Sequence, residues 1–261
     1  DVDFVVDIFF DRSVTPNRTR FRRYLQTGTG ASATLTPNGE SEDLENLGSI
    51  WNARDMLANI SQADLPVQRT VNGSSGLFDQ DAAGHRYIFT FLDSISTGTQ
   101  GVVDPGEVVD FTHANFDSGA GNNNFRYLGL SNPANAANLV KYIRGQDVAP
   151  WRSRLVDIPG DGTATQKYWL LGDIVHSSPL VVNPPGSSYN SVNGDETYEG
   201  FKTKYERRRQ MVYTGANDGM LHAFNGGVWD AQNKTFQKRR YNTATGLYDL
   251  GQSHELGAEM W

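Results

Sequence analysis

Residues 172–225 hold the pattern that most narrows the fold. GDIVHSSPLVV is followed by a polar stretch and by MVYTGANDGMLHAFN, and GAEMW closes the sequence. Apolar residues alternate up to Ser178-Pro179. A second strand is expected over 211–216, and Asn217-Asp218-Gly219 turns the chain into a third over 220–224. Asp-Gly supplies the positive φ angles that a tight hairpin needs. Three short antiparallel strands in series, closed by an aromatic residue, have the form of one β-propeller blade. One blade is not a fold by itself, so the chain is expected to be mainly β and to carry an incomplete propeller.

Composition sets outer limits. The chain has 261 residues, 38% of them hydrophobic and 11% aromatic, enough to bury a core. A net charge of -7 argues against a nucleic-acid partner, because phosphate contacts need clustered Lys and Arg. The run Arg207-Arg208-Arg209 beside Glu206 reads as a solvated edge. Without cysteine the chain has no disulfides, no thiolate zinc site and no cysteine nucleophile. No run of about 18 apolar residues is present, so no membrane-spanning helix is expected. The chain starts at Asp1 rather than Met, and a processed or excerpted product is expected.

The front of the chain mixes both element types. Residues 3–10 (DFVVDIFF) read as a buried strand, 20–27 as a second and 86–93 (RYIFTFLD) as a third. Leu44, Leu47, Ile50, Trp51, Leu57 and Ala58 recur at helical spacing and predict a helix over 41–59, with Trp51 in the core. Ser131 and Pro133 predict the start of another helix that presents Ala137, Val140 and Ile143 on one face and ends near Arg144-Gly145. From Pro150 onward strands alternate with Gly, Pro and Asp turns. A mixed α/β region is therefore expected over 1–148 and the first part of a propeller over 149–261. The polar insertion 183–209 falls between two strands of the blade.

The blade carries more specific wording. Ser178-Pro179-Leu180-Val181-Val182, Gly215-Ala216-Asn217-Asp218-Gly219 and Gly257-Ala258-Glu259-Met260-Trp261 occupy the places that a quinoprotein-type repeat gives to its opening strand, its turn and its closing tail, where Trp261 would pack between blades. Asp173 opens this run. GDIVHSSP, preceded by Tyr142-Ile143-Arg144-Gly145 and Arg152-Ser153-Arg154-Leu155 and followed by MVYTGANDGMLHAF, resembles the β-propeller domain of the PilC/PilY family of type IV pilus tip-associated adhesins. Ser49-Ile50-Trp51-Asn52-Ala53-Arg54-Asp55-Met56-Leu57 and Tyr87-Ile88-Phe89-Thr90 are similar to the region before that propeller.

The resemblance implies a non-enzymatic bacterial surface protein, exported to the cell surface or pilus tip. It would promote pilus assembly, contact minor pilins and adhere to a host or abiotic surface. Its open edge after Trp261 would be covered by further C-terminal blades or a second chain. A lectin-like or protein-binding module unrelated to pili is the second reading. A quinone-dependent dehydrogenase is the third, since such enzymes share the blade grammar but hold their cofactor in a closed propeller. Some members carry a calcium loop of closely spaced aspartates and a von Willebrand factor A-like domain, and neither motif occurs in this sequence.

Candidate site residues follow from side-chain chemistry. Calcium takes roughly six to eight hard oxygens. Asp157 and Asp161, four apart around Pro159 and Gly160, are the best metal candidates, with a plain β-turn as the competing reading. Asp79, Asp81, Asp104, Glu107 and Asp110 are weaker ones. Asn183, Tyr189, Asp195 and Tyr198 of the insertion are the candidate interaction residues. Asp173, His176 and Ser177 invite a hydrolase reading, but alternation sends His176 to the face opposite Ser177 and Asp173. No catalytic or cofactor-binding residue is assigned. The histidines, His222 among them, lack zinc-like spacing. Arg144-Gly145-Gln146-Asp147 reads as a helix end rather than an integrin motif.

Overall fold

The computed structural model describes residues 4–28, 33–44, 49–69, 71–72, 77–78, 86–93, 104, 106–117, 123–157, 166–206, 208–230, 235–238, 241–242, 247–248 and 255–261. Two compact units divide the chain, Asp1–Ile50 and Trp51–Trp261. The change of texture near residue 148 falls inside the second.

The first unit is an antiparallel sheet of β1 (Phe4–Asp11), β2 (Arg18–Thr27), β3 (Thr34–Pro37) and β4 (Glu42–Asp43). β2 is its centre: it pairs with β1 along its length and with both β3 and β4. The register Ile8↔Phe21 and the period of two put Val6, Ile8 and Phe10 on one face with Phe21, and Asp7, Phe9 and Asp11 on the other. Phe21 is buried, with the Arg23 guanidinium 4.8 Å above its ring. Val6, Ile8 and Phe10 are exposed. The strand expected to be buried is thus an exposed one, because an apolar run encodes β propensity and not the neighbour that covers it.

In the second unit α1 (Ala53–Ala58) starts where the Asn52 side chain accepts from the Arg54 amide. It replaces most of the helix expected over 41–59. Glu42 and Asp43 are in a strand, and residues 45–48 lie outside the described residues. β5 (Val71–Asn72) pairs with β6 (Leu77–Phe78), and β7 (Phe89–Phe91) with β8 (Val108–Asp110). β7 is shorter than the strand expected over 86–93. α2 (Pro133–Ile143) is capped by Asn132 rather than Ser131, and Arg144 and Gly145 end it as expected. Ala136 and Val140 of α2 join Leu92, Phe111 and Phe116 in one apolar cluster. Leu57 and Leu65 join Leu170 and Phe224 in a second, against which Trp51 packs. β9 (Leu155–Val156) and β10 (Lys167–Tyr168) form a short ladder.

The largest sheet of this unit begins with β11 (Leu180–Val182). The insertion then forms two helices, α3 (Tyr189–Asn193) and α4 (Glu196–Tyr205). β12 (Gln210–Gly215), β13 (Leu221–Asp230) and β14 (Thr235–Gln237) follow in the order β11-β12-β13-β14. The Asn217-Asp218-Gly219 turn joins β12 to β13, with Gly219 at φ +83 as the tight reversal requires. Register puts Val181, Val212, Thr214, His222 and Phe224 on one face, and Leu180, Tyr213, Leu221 and Ala223 on the other. Phe224 packs into the second cluster, whereas Leu180 and Leu221 are 63% and 56% exposed.

The fourth strand comes in two pieces. β14 pairs with Val228, Trp229 and Asp230, and the chain then leaves for an excursion that holds β15 (Tyr241–Asn242) and β16 (Leu247–Tyr248). It returns at 257–261 to the same edge of β13. There the Asn225 and Ala223 amides donate to the carbonyls of Ala258 and Trp261, and the Gly257 and Met260 amides donate to those of Asn225 and Ala223. Gly227 sits at the junction with φ +91, where a Cβ would stand 2.6 Å from a Leu256 methyl and 3.1 Å from the Gln237 carbonyl oxygen. Gly227→Ala is therefore expected to lower stability by about 1–2 kcal/mol from backbone strain alone. The urea midpoint measures this, and an unchanged midpoint would contradict the described junction.

Candidate functional site

The returning segment brings Glu259 onto the face of His222 through a Phe224↔Glu259 bridge. Glu259 is buried, and its carboxylate meets Arg86 side-on. Arg86 Nε donates to Oε2 at 2.6 Å and Nη2 to Oε1 at 2.8 Å. His222 Nδ1 lies 2.7 Å from the same Oε1, and its Nε2 lies 3.0 Å from an Asp218 carboxylate oxygen. Two carboxylates on the two ring nitrogens require both nitrogens to donate, so His222 is an imidazolium. Its ring also stacks on Phe224, centroids 5.7 Å apart.

Around this centre a second guanidinium knits the main chain. Arg144 ends α2 and is fully buried, and it donates to the carbonyls of Leu65, Val67, Arg86 and Phe111 and to Gln68 Oε1 at 2.8–2.9 Å. Arg86 Nη1 donates to the Arg144 carbonyl at 2.9 Å, and Arg69 Nη2 to the Glu259 carbonyl at 2.7 Å. Asp218 also accepts from the amides of Gly172 and Met220. Segments 65–69, 86–88, 111, 144, 172, 218–222 and 259 are thereby held by three arginines and two carboxylates.

The protonation equilibria follow from burial and partners. Desolvation alone would lower the His222 pKa, but its bonds to Asp218 and Glu259 outweigh it and raise the value to about 9. Burial opposes ionisation of Glu259 as well, yet Arg86 and His222 hold its pKa well below the usual carboxylate range. Asp218 is lowered too, its bonds to His222 and the Met220 and Gly172 amides overcoming burial. Arg144, desolvated and near the Arg86 charge, is lowered to about 10 and remains a cation at neutral pH.

Beside this centre lies a cleft of about 360 Å³ walled by Tyr87, Phe89, Leu221 and Trp261, with His222 and Glu259 at its base. The Trp261 ring is 5.7 Å from Phe89 and 5.6 Å from Tyr213. Both titratable groups at the base are saturated with protein partners. Their arrangement fixes chain segments to one another.

The residues singled out by sequence scatter around this centre. Asp218 joins it, while Asn217 and Gly219 complete the expected turn. Asp173 is exposed, and its carbonyl accepts from the Asn217 amide. Ser178 and Pro179 are exposed just before β11. Ser177 Oγ accepts from the Gly215 amide, and His176 is exposed. In the insertion Asp195 caps α4, Tyr189 and Tyr198 meet edge to face at 5.2 Å, and the Asn183 carbonyl accepts from Arg208. Asp157 is exposed after β9, and Asp161 lies outside the described residues, as do Asp79 and Asp81. Among the described residues no three His, Cys, Asp or Glu gather to hold a metal. Asp157 alone does not fit calcium, which needs several oxygens. Glu107 is buried and accepts from the Asp104 amide, as in a turn.

Sequence reasoning missed Arg86, Arg144, His222 and Glu259. Two of them carried a signal, His222 as a polar residue on the apolar face of a strand and Arg144 at the end of an apolar helix stripe.

The type IV pilus biogenesis factor PilY1 of Pseudomonas aeruginosa is 41% identical over 98 residues, which cover 34% of this chain and 8% of that protein. A PilY1 homolog from Xylella fastidiosa is 39% identical over 92 residues, 34% of this chain and 7% of that protein. Over that stretch the chain is similar to the PilC/PilY family. The matched stretch thus spans less than a tenth of either relative. No family model and no solved structure matches the chain. Among the described residues no helix is long and apolar enough to cross a membrane.

Glu259→Gln is expected to cost about 3–5 kcal/mol, because Arg86 would be left as an uncompensated buried charge. Chemical denaturation at pH 7 measures it, and a loss below about 1 kcal/mol would refute the buried pair. A pH series tests His222 separately. Its folded pKa lies above the ordinary one, so its stabilisation is complete below about pH 6.5 and is lost as pH rises through about 9. The melting temperature should fall over that window, and His222→Gln should flatten the fall. An equal slope in both proteins would show that the imidazolium is not the cause.

Proposed function

We propose that this chain is a part of a type IV pilus biogenesis protein that works by binding and assembly rather than catalysis. The observation that carries the reading is the 39–41% identity to two proteins named as pilus biogenesis factors. The β11-β12-β13-β14 meander serves as one blade of a β-propeller whose part of the chain begins near residue 149. Leu180 and Leu221, exposed on the face opposite the buried charges, support this, since a neighbouring blade would cover them.

In this reading the saturated centre around Glu259 stiffens the blade, and contacts are made by what projects from it. The insertion between β11 and β12 is the best contact element. Its two helices contain no buried residue, and Tyr189, Tyr198, Phe201 and Tyr205 run ring to ring along it, 4.9–5.7 Å between centroids. Aromatic rings with polar rims suit protein contacts. The partners are minor pilins at the pilus tip and a host or abiotic surface, and the protein acts outside the cell.

The test is made in the full-length protein in its own bacterium, with 189–205 replaced by a Gly-Ser linker of equal length. Exported protein at normal level, fewer surface pili by electron microscopy and lost crosslinks to minor pilins are expected. Normal piliation and adhesion with unchanged crosslinks would overturn the assignment of this element.

A further inference from the structure

The first unit presents a strand edge that the pilus reading does not use. Among the described residues β1 pairs with β2 alone, so the other edge of an eight-residue strand keeps its amides and carbonyls unpaired. Natural sheets cover or blunt such edges, because each is a template for another strand. Val6, Ile8 and Phe10 stand in a row on one face of this edge, 39%, 55% and 57% exposed. On the other face Asp11 is held by Ser13 and Arg20, whereas Asp7 makes no side-chain hydrogen bond or ion pair among the described residues.

We propose that the outer edge of β1 receives an extended segment of another polypeptide in which basic and apolar residues alternate. Charge complementarity selects this occupant. β2 already displays a partial complement on the inner edge, with Arg23 and Thr19 rather than apolar residues opposite Val6 and Phe10. Arg22 lies opposite Asp7, Arg18 opposite Asp11 and Phe21 opposite Ile8, in the stretch RTRFRRYL. A strand on the outer edge meets the same Asp7 carboxylate and the same apolar row, so a Lys or Arg opposite Asp7 and apolar residues beside Val6, Ile8 and Phe10 fit it. A second copy of β1 fits less well, since the register centred on Asp7 opposes two carboxylates. Main-chain bonds supply the affinity and the alternating side chains the selectivity.

The probe is a labelled, end-blocked peptide RTRFRRYL, with ETEFEEYL as its charge-reversed control, titrated by fluorescence anisotropy against the 261-residue chain and against the full-length protein that contains it. Hydrogen exchange on the unsubstituted protein maps the site. The basic peptide is expected to bind and to slow exchange within 4–11 without speeding it within 18–27. Asp7→Lys should weaken the basic peptide about three- to fivefold and strengthen the acidic one, in line with an exposed ion pair, and Asp7→Asn should fall between. Circular dichroism checks that the variants fold. Protection elsewhere, faster exchange in β2, affinity indifferent to Asp7, no binding of either peptide, or concentration-dependent protection of 4–11 by the protein itself would each overturn the proposal.

Discussion

The second unit depends on the Arg86–Glu259 pair. Both side chains are almost fully buried, so each has given up its hydration and neither tolerates the loss of the other. Such a pair recovers its desolvation cost only if every polar atom around it finds a partner. That condition accounts for the neighbourhood: His222 also bonds Glu259 Oε1, Asp218 neutralises His222, and Arg144 closes over the carbonyls of Arg86, Leu65, Val67 and Phe111. Removing any one of these groups strands another. The centre therefore ties these segments to one another through side-chain bonds.

Much of the sheet was legible in the sequence. Alternation and the Asn-Asp-Gly turn located β12 and the start of β13 to within a residue, although β13 runs six residues beyond the expected 224, and Pro133 and Gly145 bracketed α2. Those signals are local, set by backbone conformation over a few positions. The helix expected over 41–59 was misread because Leu44, Leu47 and Ile50 share helical spacing with α1, although Asn52 is the group that starts it. The buried centre was not legible at all. Arg86 and Glu259 are 173 residues apart, and no local periodicity encodes a partner at that distance. No helix was expected in the insertion 183–209, yet Asp195 carried the capping signal for α4.

The two kinds of surface divide the work. Arg86, Arg144, His222 and Glu259 are buried with partners, while Tyr189, Phe201, Leu180, Leu221 and Phe89 are among the exposed residues of this unit.

The two-piece fourth strand has a consequence for how such a chain can change over generations. Residues 257–261 find their places by main-chain pairing to β13 and by Glu259 docking on Arg86, neither of which depends on the path taken between Gln237 and Glu255. Lengthening the excursion adds only a logarithmic entropy, about 0.6 kcal/mol for each doubling. The sheet is therefore a socket with a seam: material can be added or exchanged between its two halves while the closing contacts remain in register, and the protein can acquire new surface without rebuilding its core.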